Sequence, residues 1–117
     1  VIDEIPVLAV LATRTQNGIR IRDAAELRSK ESDRIAAIVR NLQALGVKVE
    51  EFPDGLFVPG HQVLCGGVID SFDDHRIAMA FAVAGLFAKE PVTIQGASCV
   101  DISFPGFFQA VERVYAA

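Results

Sequence analysis

Cysteine is scarce in this chain, with only Cys65 and Cys99 among 117 residues. Both are isolated thiols in apolar or small-residue surroundings, without the density of a secreted disulfide scaffold or the paired spacing of a metal site. We read them as buried free thiols in a reducing compartment. Long hydrophobic runs are missing too. The longest apolar stretch, Ile77 to Ala88, contains Gly85 and suits a core helix rather than a membrane span. No segment has the make-up of a signal peptide. Positive charge is in short supply: 11 Lys+Arg stand against 15 Asp+Glu, a net charge of −4. That argues against a nucleic-acid partner, because a phosphate backbone demands a basic face. A Gly-rich phosphate loop, a metal-ligand spacing and a Ser/His/Asp order are all absent. The expectation is a cytoplasmic protein with no membrane or nucleic-acid partner. A small anionic ligand, needing only local positive charge, stays open.

What is present reads as one globular domain or part of one, since 51% of residues are hydrophobic and 22% charged. The opening "VIDEIPVLAVLA" already belongs to a packed element, so we expect a piece of a longer chain. Ile5 to Ala12 reads as a short apolar helix with Pro6 tolerated in its first turn. "GIRIR", Gly18 to Arg22, alternates as a half-buried strand does. Glu26 to Ile38 opens a helix that is best defined from Ser32 to Leu45. Ser32 or Asp33 can cap it, Ile35, Ile38, Val39, Leu42 and Leu45 form one stripe, and Gly46 stops it. "VKVEEF" and "GLFVPG" flank "PDG" as a hairpin, and a short strand is expected between His61 and Asp70. Asp73 or Asp74 caps a helix to about Phe87. "PVTIQG" reads as a strand, "ASCVDISF" as a loop, and Pro105 opens a last helix. The order of helix, strand, loop and helix occurs twice, with strands starting at Ile19 and Val92 and with Asp3 and Asp74 before the preceding helices.

Chemistry concentrates at two helix starts. "ELRSKESDRIAAI" places Arg28, Lys30 and Arg34 where the helix dipole disfavours cations by about 0.3–1 kcal/mol each. "SFDDHRIAMAF" repeats the misplacement with His75 and Arg76. One reading is an anion pocket, in which free helix N–H groups and cationic side chains bind phosphate or carboxylate. The other is a solvated face in which Glu31 or Asp33 pairs a neighbouring Arg. Asp74 reads as an ordinary cap. Asp3 reads as a cap as well, yet with Glu31 it supplies the acids that proton transfer on an anionic substrate needs.

Together "LRSKESDRI", "DDHRIAMAF", "IDEIPVLAVLA" and "SFPGFF" resemble the C-terminal part of the 5-enolpyruvylshikimate-3-phosphate synthase family, over nearly the whole chain and in order. The resemblance implies part of an inside-out α/β (α+β) domain built from repeated helix-and-strand units, about two of three repeats over residues 1–117, with the other, N-terminal domain missing. It implies transfer of the enolpyruvyl group of phosphoenolpyruvate to the 5-hydroxyl of shikimate 3-phosphate, in aromatic amino-acid biosynthesis, with no metal or organic cofactor. By motif position, Asp3 matches the proton acceptor that contacts the shikimate hydroxyls, and Glu31 the acid that handles the proton at the pyruvyl methylene. Lys30 matches a contact to shikimate 3-phosphate, Arg34 and Arg76 match ligands of phosphoenolpyruvate, His75 lines the pocket, and Glu26 stands where some members have an Asn facing the ring.

Two positions depart from the pattern: Ile102 replaces a Lys that some members use on phosphoenolpyruvate, and Ser29 stands where an apolar residue is more usual. The missing domain brings further phosphate ligands, so the chain alone is expected to be inactive. The alternatives are a non-catalytic α/β module that binds a phosphometabolite or a protein, and a piece of the sister transferase acting on UDP-N-acetylglucosamine, which lacks the "KESDR" and "DDHR" pairing.

Overall fold

The apolar run that opens the chain does become a helix, α1 (Ile5–Ala12), with Pro6 in its first turn where no N–H is needed. This computed structural model describes residues 4–30, 32–97 and 100–104. Two threonines close the far end of α1: the Thr13 hydroxyl donates to the Val10 carbonyl at 2.8 Å and the Thr15 hydroxyl to that of Ala12 at 2.6 Å. Gly18 then turns the chain at φ +78°, with a side-chain carbon there falling 2.2 Å from the Val58 carbonyl oxygen. Only glycine fits.

Three short strands follow as an antiparallel sheet ordered β1-β3-β2, with β1 Ile19–Ile21, β2 Glu50–Phe52 and β3 Gly55–Val58. Pairing Phe52 with Gly55 leaves Pro53 and Asp54 at the tip of the expected hairpin. On the outer face Arg20, opposite Phe57, lies 4.9 Å from that ring and 5.5 Å from the Phe52 ring. Between β1 and β2 stands α2 (Arg34–Ala44), capped by Asp33, whose carboxylate accepts the Ala36 N–H at 3.1 Å. The expected stripe of Ile35, Ile38, Val39, Leu42 and Leu45 is buried.

The second sheet is ordered β4-β5-β6, from Gly67–Asp70, Val92–Ala97 and Val100–Phe104. Strands β4 and β5 are parallel, so the chain crosses over between them through α3 (His75–Phe87), capped by Asp74. α1 packs on α3, and Ile77, Phe81, Ile94, Leu56 and Leu64 fill the common core with the α2 stripe.

Four expectations need correction. "ASCVDISF" contains a strand, because 100–104 pairs antiparallel with β5 in a register no local pattern announces. The helical start does not run on from Glu26: Ala25–Ser29 is a separate 3-10 helix and α2 begins at Arg34. Cys65 is exposed rather than buried, since its segment runs across the surface and is tied there by its N–H to the Leu45 carbonyl. The long apolar stretch is buried on one side only, with Met79 58% and Leu86 57% exposed. Cys99 and the helix expected at Pro105 lie outside the described residues.

Arg28 answers part of the charge puzzle at α2. Its guanidinium donates to Asp33 at 3.0 Å, to Glu51 at 2.9 Å, and to the carbonyls of Phe52 and Pro53 at 2.8 and 2.9 Å. One side chain so fastens the 3-10 helix to the hairpin and to the α2 cap. The hydrogen bonds it donates to Glu51 and Asp33 raise its pKa further. Since both carboxylates are solvent-facing, Arg28→Ala is expected to cost about 1 kcal/mol, read as a shift of the urea midpoint. An unchanged midpoint would show the clamp to be idle.

Candidate functional site

The chemistry expected at the two helix starts meets at one buried carboxylate. Asp74 precedes α3 and is 1% exposed. Its Oδ1 accepts the Arg76 backbone N–H at 3.0 Å, which is ordinary capping. Its Oδ2 also accepts Arg34 Nε at 2.9 Å and the Ser32 hydroxyl at 2.8 Å, while Arg34 Nη2 reaches Oδ1 at 3.3 Å. Arg34 is itself 2% exposed. A cation at the α2 start and a carboxylate at the α3 start thereby join the two helix N-termini from 40 residues apart in sequence.

Burial pushes the Asp74 carboxyl pKa up, and this is the largest single influence. The hydrogen bonds from Arg34, Ser32 and the Arg76 N–H, with the Arg34 charge, overcome it and hold the group below its usual range. A cation is therefore tolerated at the N-terminus of α2 because a carboxylate lies against it.

The approach to Asp74 is built with unusual backbone. Phe72 and Asp73 both adopt left-handed φ, 53° and 57°. The Asp70 carboxylate accepts the Phe72 N–H at 2.8 Å and the Ser71 hydroxyl accepts the Asp73 N–H at 3.2 Å, so side chains of this turn hold its own backbone. Asn41 fixes the turn to α2, donating to the Asp70 carbonyl at 2.7 Å and accepting its N–H at 3.1 Å.

Of the sequence-predicted residues, Arg34 and the start of α3 that carries Arg76 are brought together at Asp74. Arg76 is exposed and lines a pocket of about 400 Å³ with Glu4, Val7, Leu8 and Met79. Ser32 lines a second pocket of about 240 Å³ with Asp33, Ala36, Ala37, Arg40 and Phe72. Asp74 is thus bonded to a residue from each. Glu26, Lys30 and His75 are exposed, the first two on and just after the 3-10 helix and His75 in the first turn of α3. Asp3 and Glu31 lie outside the described residues. Among the described residues no three His, Cys, Asp or Glu side chains group so as to hold a metal ion, and no helix is long and apolar enough to cross a membrane.

Sequence reasoning missed Asp74 and Asn41. The Asp before His75 and Arg76 looked like a cap and nothing more. A buried Arg in an otherwise apolar helical stripe, needing an anionic partner, was the signal that could have found it.

Comparison with known proteins gives the family of the chain. The chain matches the family described as EPSP synthase (3-phosphoshikimate 1-carboxyvinyltransferase) over residues 1–111. It is 58% identical over 113 residues to a 3-phosphoshikimate 1-carboxyvinyltransferase of Koribacter versatilis, covering 97% of this chain and 26% of the relative. Against that of Solibacter usitatus the identity is 56% over 114 residues, 97% of this chain and 27% of the relative. The chain therefore spans about a quarter of the length of these relatives. Among solved structures, the EPSP synthase of Acinetobacter baumannii superposes with a TM-score of 0.77 and 38% identity, covering 83% of this chain and 23% of the other. The enolpyruvyl transferase NikO of Streptomyces tendae, 17% identical with a TM-score of 0.60 over 82% of this chain and 23% of its own, shares the fold. The fold is accordingly that of an α/β enolpyruvyl transferase domain.

Proposed function

We propose, because this chain belongs to the EPSP synthase (3-phosphoshikimate 1-carboxyvinyltransferase) family, that it is the C-terminal portion of a cytoplasmic transferase, about two of the three repeats of one domain. The full-length protein moves the enolpyruvyl group of phosphoenolpyruvate to the 5-hydroxyl of shikimate 3-phosphate and releases inorganic phosphate.

The reaction is addition followed by elimination. Glu31 protonates the methylene carbon of phosphoenolpyruvate while Asp3 takes the proton of the attacking 5-hydroxyl. The new C–O bond gives a tetrahedral intermediate. Its C–O bond to phosphate then breaks with the proton held by Asp3 passing to the leaving phosphate, a methyl proton returns to Glu31, and the enol ether forms. Arg76 and Arg34, at the N-termini of α3 and α2, bind the carboxylate and phosphate of phosphoenolpyruvate. Lys30 binds the phosphate of shikimate 3-phosphate, Glu26 faces its ring, and His75 lines the cleft. Preorganised cations of this kind, in a cleft from which water is excluded, stabilise charge that develops in the transition state. The N-terminal domain supplies the remaining ligands.

The observation that carries the site reading is the joining of the α2 and α3 starts at Asp74, which puts Arg34 and the backbone of Arg76 on one carboxylate. Arg34 offers almost no open surface in this chain. The first contact with ligand therefore falls to Arg76, and Arg34 reaches phosphoenolpyruvate only after the cleft rearranges around it.

The test is phosphate release by the full-length protein given both substrates. Turnover that needs phosphoenolpyruvate and shikimate 3-phosphate supports the reading, and turnover with UDP-N-acetylglucosamine instead would reassign it. The isolated 117 residues are expected to release no phosphate above background, because half of the cleft is missing. Turnover by the isolated chain would overturn the division of labour between the two domains.

A further inference from the structure

The two arginines assigned to phosphoenolpyruvate stand on different helices, so their separation has to be fixed by something that touches both helix starts. Among the described residues, Asp74 does. It accepts Arg34 Nε at 2.9 Å, Arg34 Nη2 at 3.3 Å and the Arg76 N–H at 3.0 Å. A third tie is the Ser32 hydroxyl at 2.8 Å, from the turn before α2. Asp74 is also held from behind. Its N–H donates to the Ser71 carbonyl at 3.0 Å, and the Ser71 N–H donates to the Gln95 carbonyl on β5 at 2.9 Å.

The turn that delivers it has two consecutive non-glycine residues in the left-handed region, Phe72 and Asp73. Such conformations persist only where the surroundings over-determine them. Here the surroundings are the Asp70 and Ser71 side-chain acceptors and the Asn41 amide. Gly96, at φ +88°, lets β5 pass close behind, since a side-chain carbon there would stand 3.0 Å from the Asp70 carboxylate and 3.3 Å from the Ser71 hydroxyl. The construction fixes Asp74 in place and aims it at the α2 start.

We infer, on the basis of the function proposed above, that Asp74 is a positioning residue of the reaction: its carboxylate sets the Arg34 guanidinium and the Arg76-bearing start of α3 at the spacing phosphoenolpyruvate requires. It acts through the two arginines and does not touch substrate. Its effect therefore falls on phosphoenolpyruvate, while Lys30, on a separate element, keeps its hold on shikimate 3-phosphate.

The experiment uses the full-length protein with Asp74→Asn, which keeps the shape and the cap acceptor but removes the charge that orients Arg34. The KM for phosphoenolpyruvate is expected to rise about 10- to 100-fold, the scale of a displacement near 1 Å at a binding group. The KM for shikimate 3-phosphate should stay within about twofold. A structural role alone would lower the fraction of active enzyme and leave both KM values where they were. That result overturns the inference, and so does a parallel rise in both. If Asp74→Asn does not fold, Ser32→Ala decides, because it removes one tie to the same oxygen and leaves the ion pair. A rise of several-fold in the phosphoenolpyruvate KM alone supports the inference, and no change overturns it. An unmodified protein that does not turn over the two substrates removes the function and this inference together, whereas an active protein whose variants keep a normal phosphoenolpyruvate KM removes the inference alone.

Discussion

Replacing Asp74 by Ala is expected to destabilise the fold by about 3–5 kcal/mol, the range for breaking one partner out of a buried ion pair. The reason lies with the group left behind. Arg34 is 2% exposed at the N-terminus of α2, where the helix dipole already disfavours a cation. Without Asp74 the guanidinium loses the carboxylate that accepts its Nε and Nη2, in a place where it is almost wholly buried, and α3 loses its cap as well. Exposed pairs behave differently: Arg28 with Asp33 and Glu51 faces solvent on all three side chains and carries far less. Equilibrium unfolding of wild type and variant measures the difference. A loss under about 1 kcal/mol would mean that the pair is not closed in solution.

The same pair gives the stability a pH dependence of known sign. The Asp74 carboxyl has a folded pKa below its ordinary value of 3.8, so the unfolded chain takes up the proton more readily than the folded one. Stability from this group is then fully present above the unfolded value and is lost as pH falls through the folded value. The gap between wild type and Asp74→Ala should be flat from neutral pH to about pH 5 and should narrow as the pH is lowered below the ordinary carboxyl range. A gap that widened on acidification would contradict the pairing.

Much of the local structure was legible because its causes are local. The bounds of α1 follow from an apolar run with Pro6 at its start, and the hairpin follows from "PDG" between alternating strands. The buried stripe of α2 follows from helical spacing and its cap from Asp33. What could not be read depends on pairing at a distance. Residues 100–104 form a strand because β5 offers an edge, and small and polar residues at the start of "ASCVDISF" hide that. Arg28 was open to a partner among its neighbours, and Asp33 is one. Glu51 and the hairpin carbonyls come from beyond any helical period. Asp74 was visible as a cap, but its second role depends on an arginine 40 residues earlier. The recognition of the site through "KESDR" and "DDHR" named both ends of this contact without showing that they touch.

Glu31→Ala in the full-length protein is expected to lower kcat by about 10²- to 10⁴-fold, the usual contribution of a positioned general acid. Addition to phosphoenolpyruvate needs a proton delivered to carbon, and water competes poorly for that task in a closed cleft. The proton is needed in the transition state and not for binding, so the KM values should move little. Arg76→Ala should show the opposite pattern. Arg76 lines the pocket beside α1 and is exposed at the start of α3, where a bound anion gains both the guanidinium and the helix N-terminus. Losing a charge-assisted bond of roughly 1.5–3 kcal/mol corresponds to a KM for phosphoenolpyruvate raised about 10- to 150-fold. Steady-state kinetics with each substrate varied in turn separate the two. A Glu31→Ala enzyme with near-normal kcat would withdraw the acid from its role. If Arg76→Ala kept a normal phosphoenolpyruvate KM, the anion would have to bind elsewhere, and the charges at these two helix starts would need another cause.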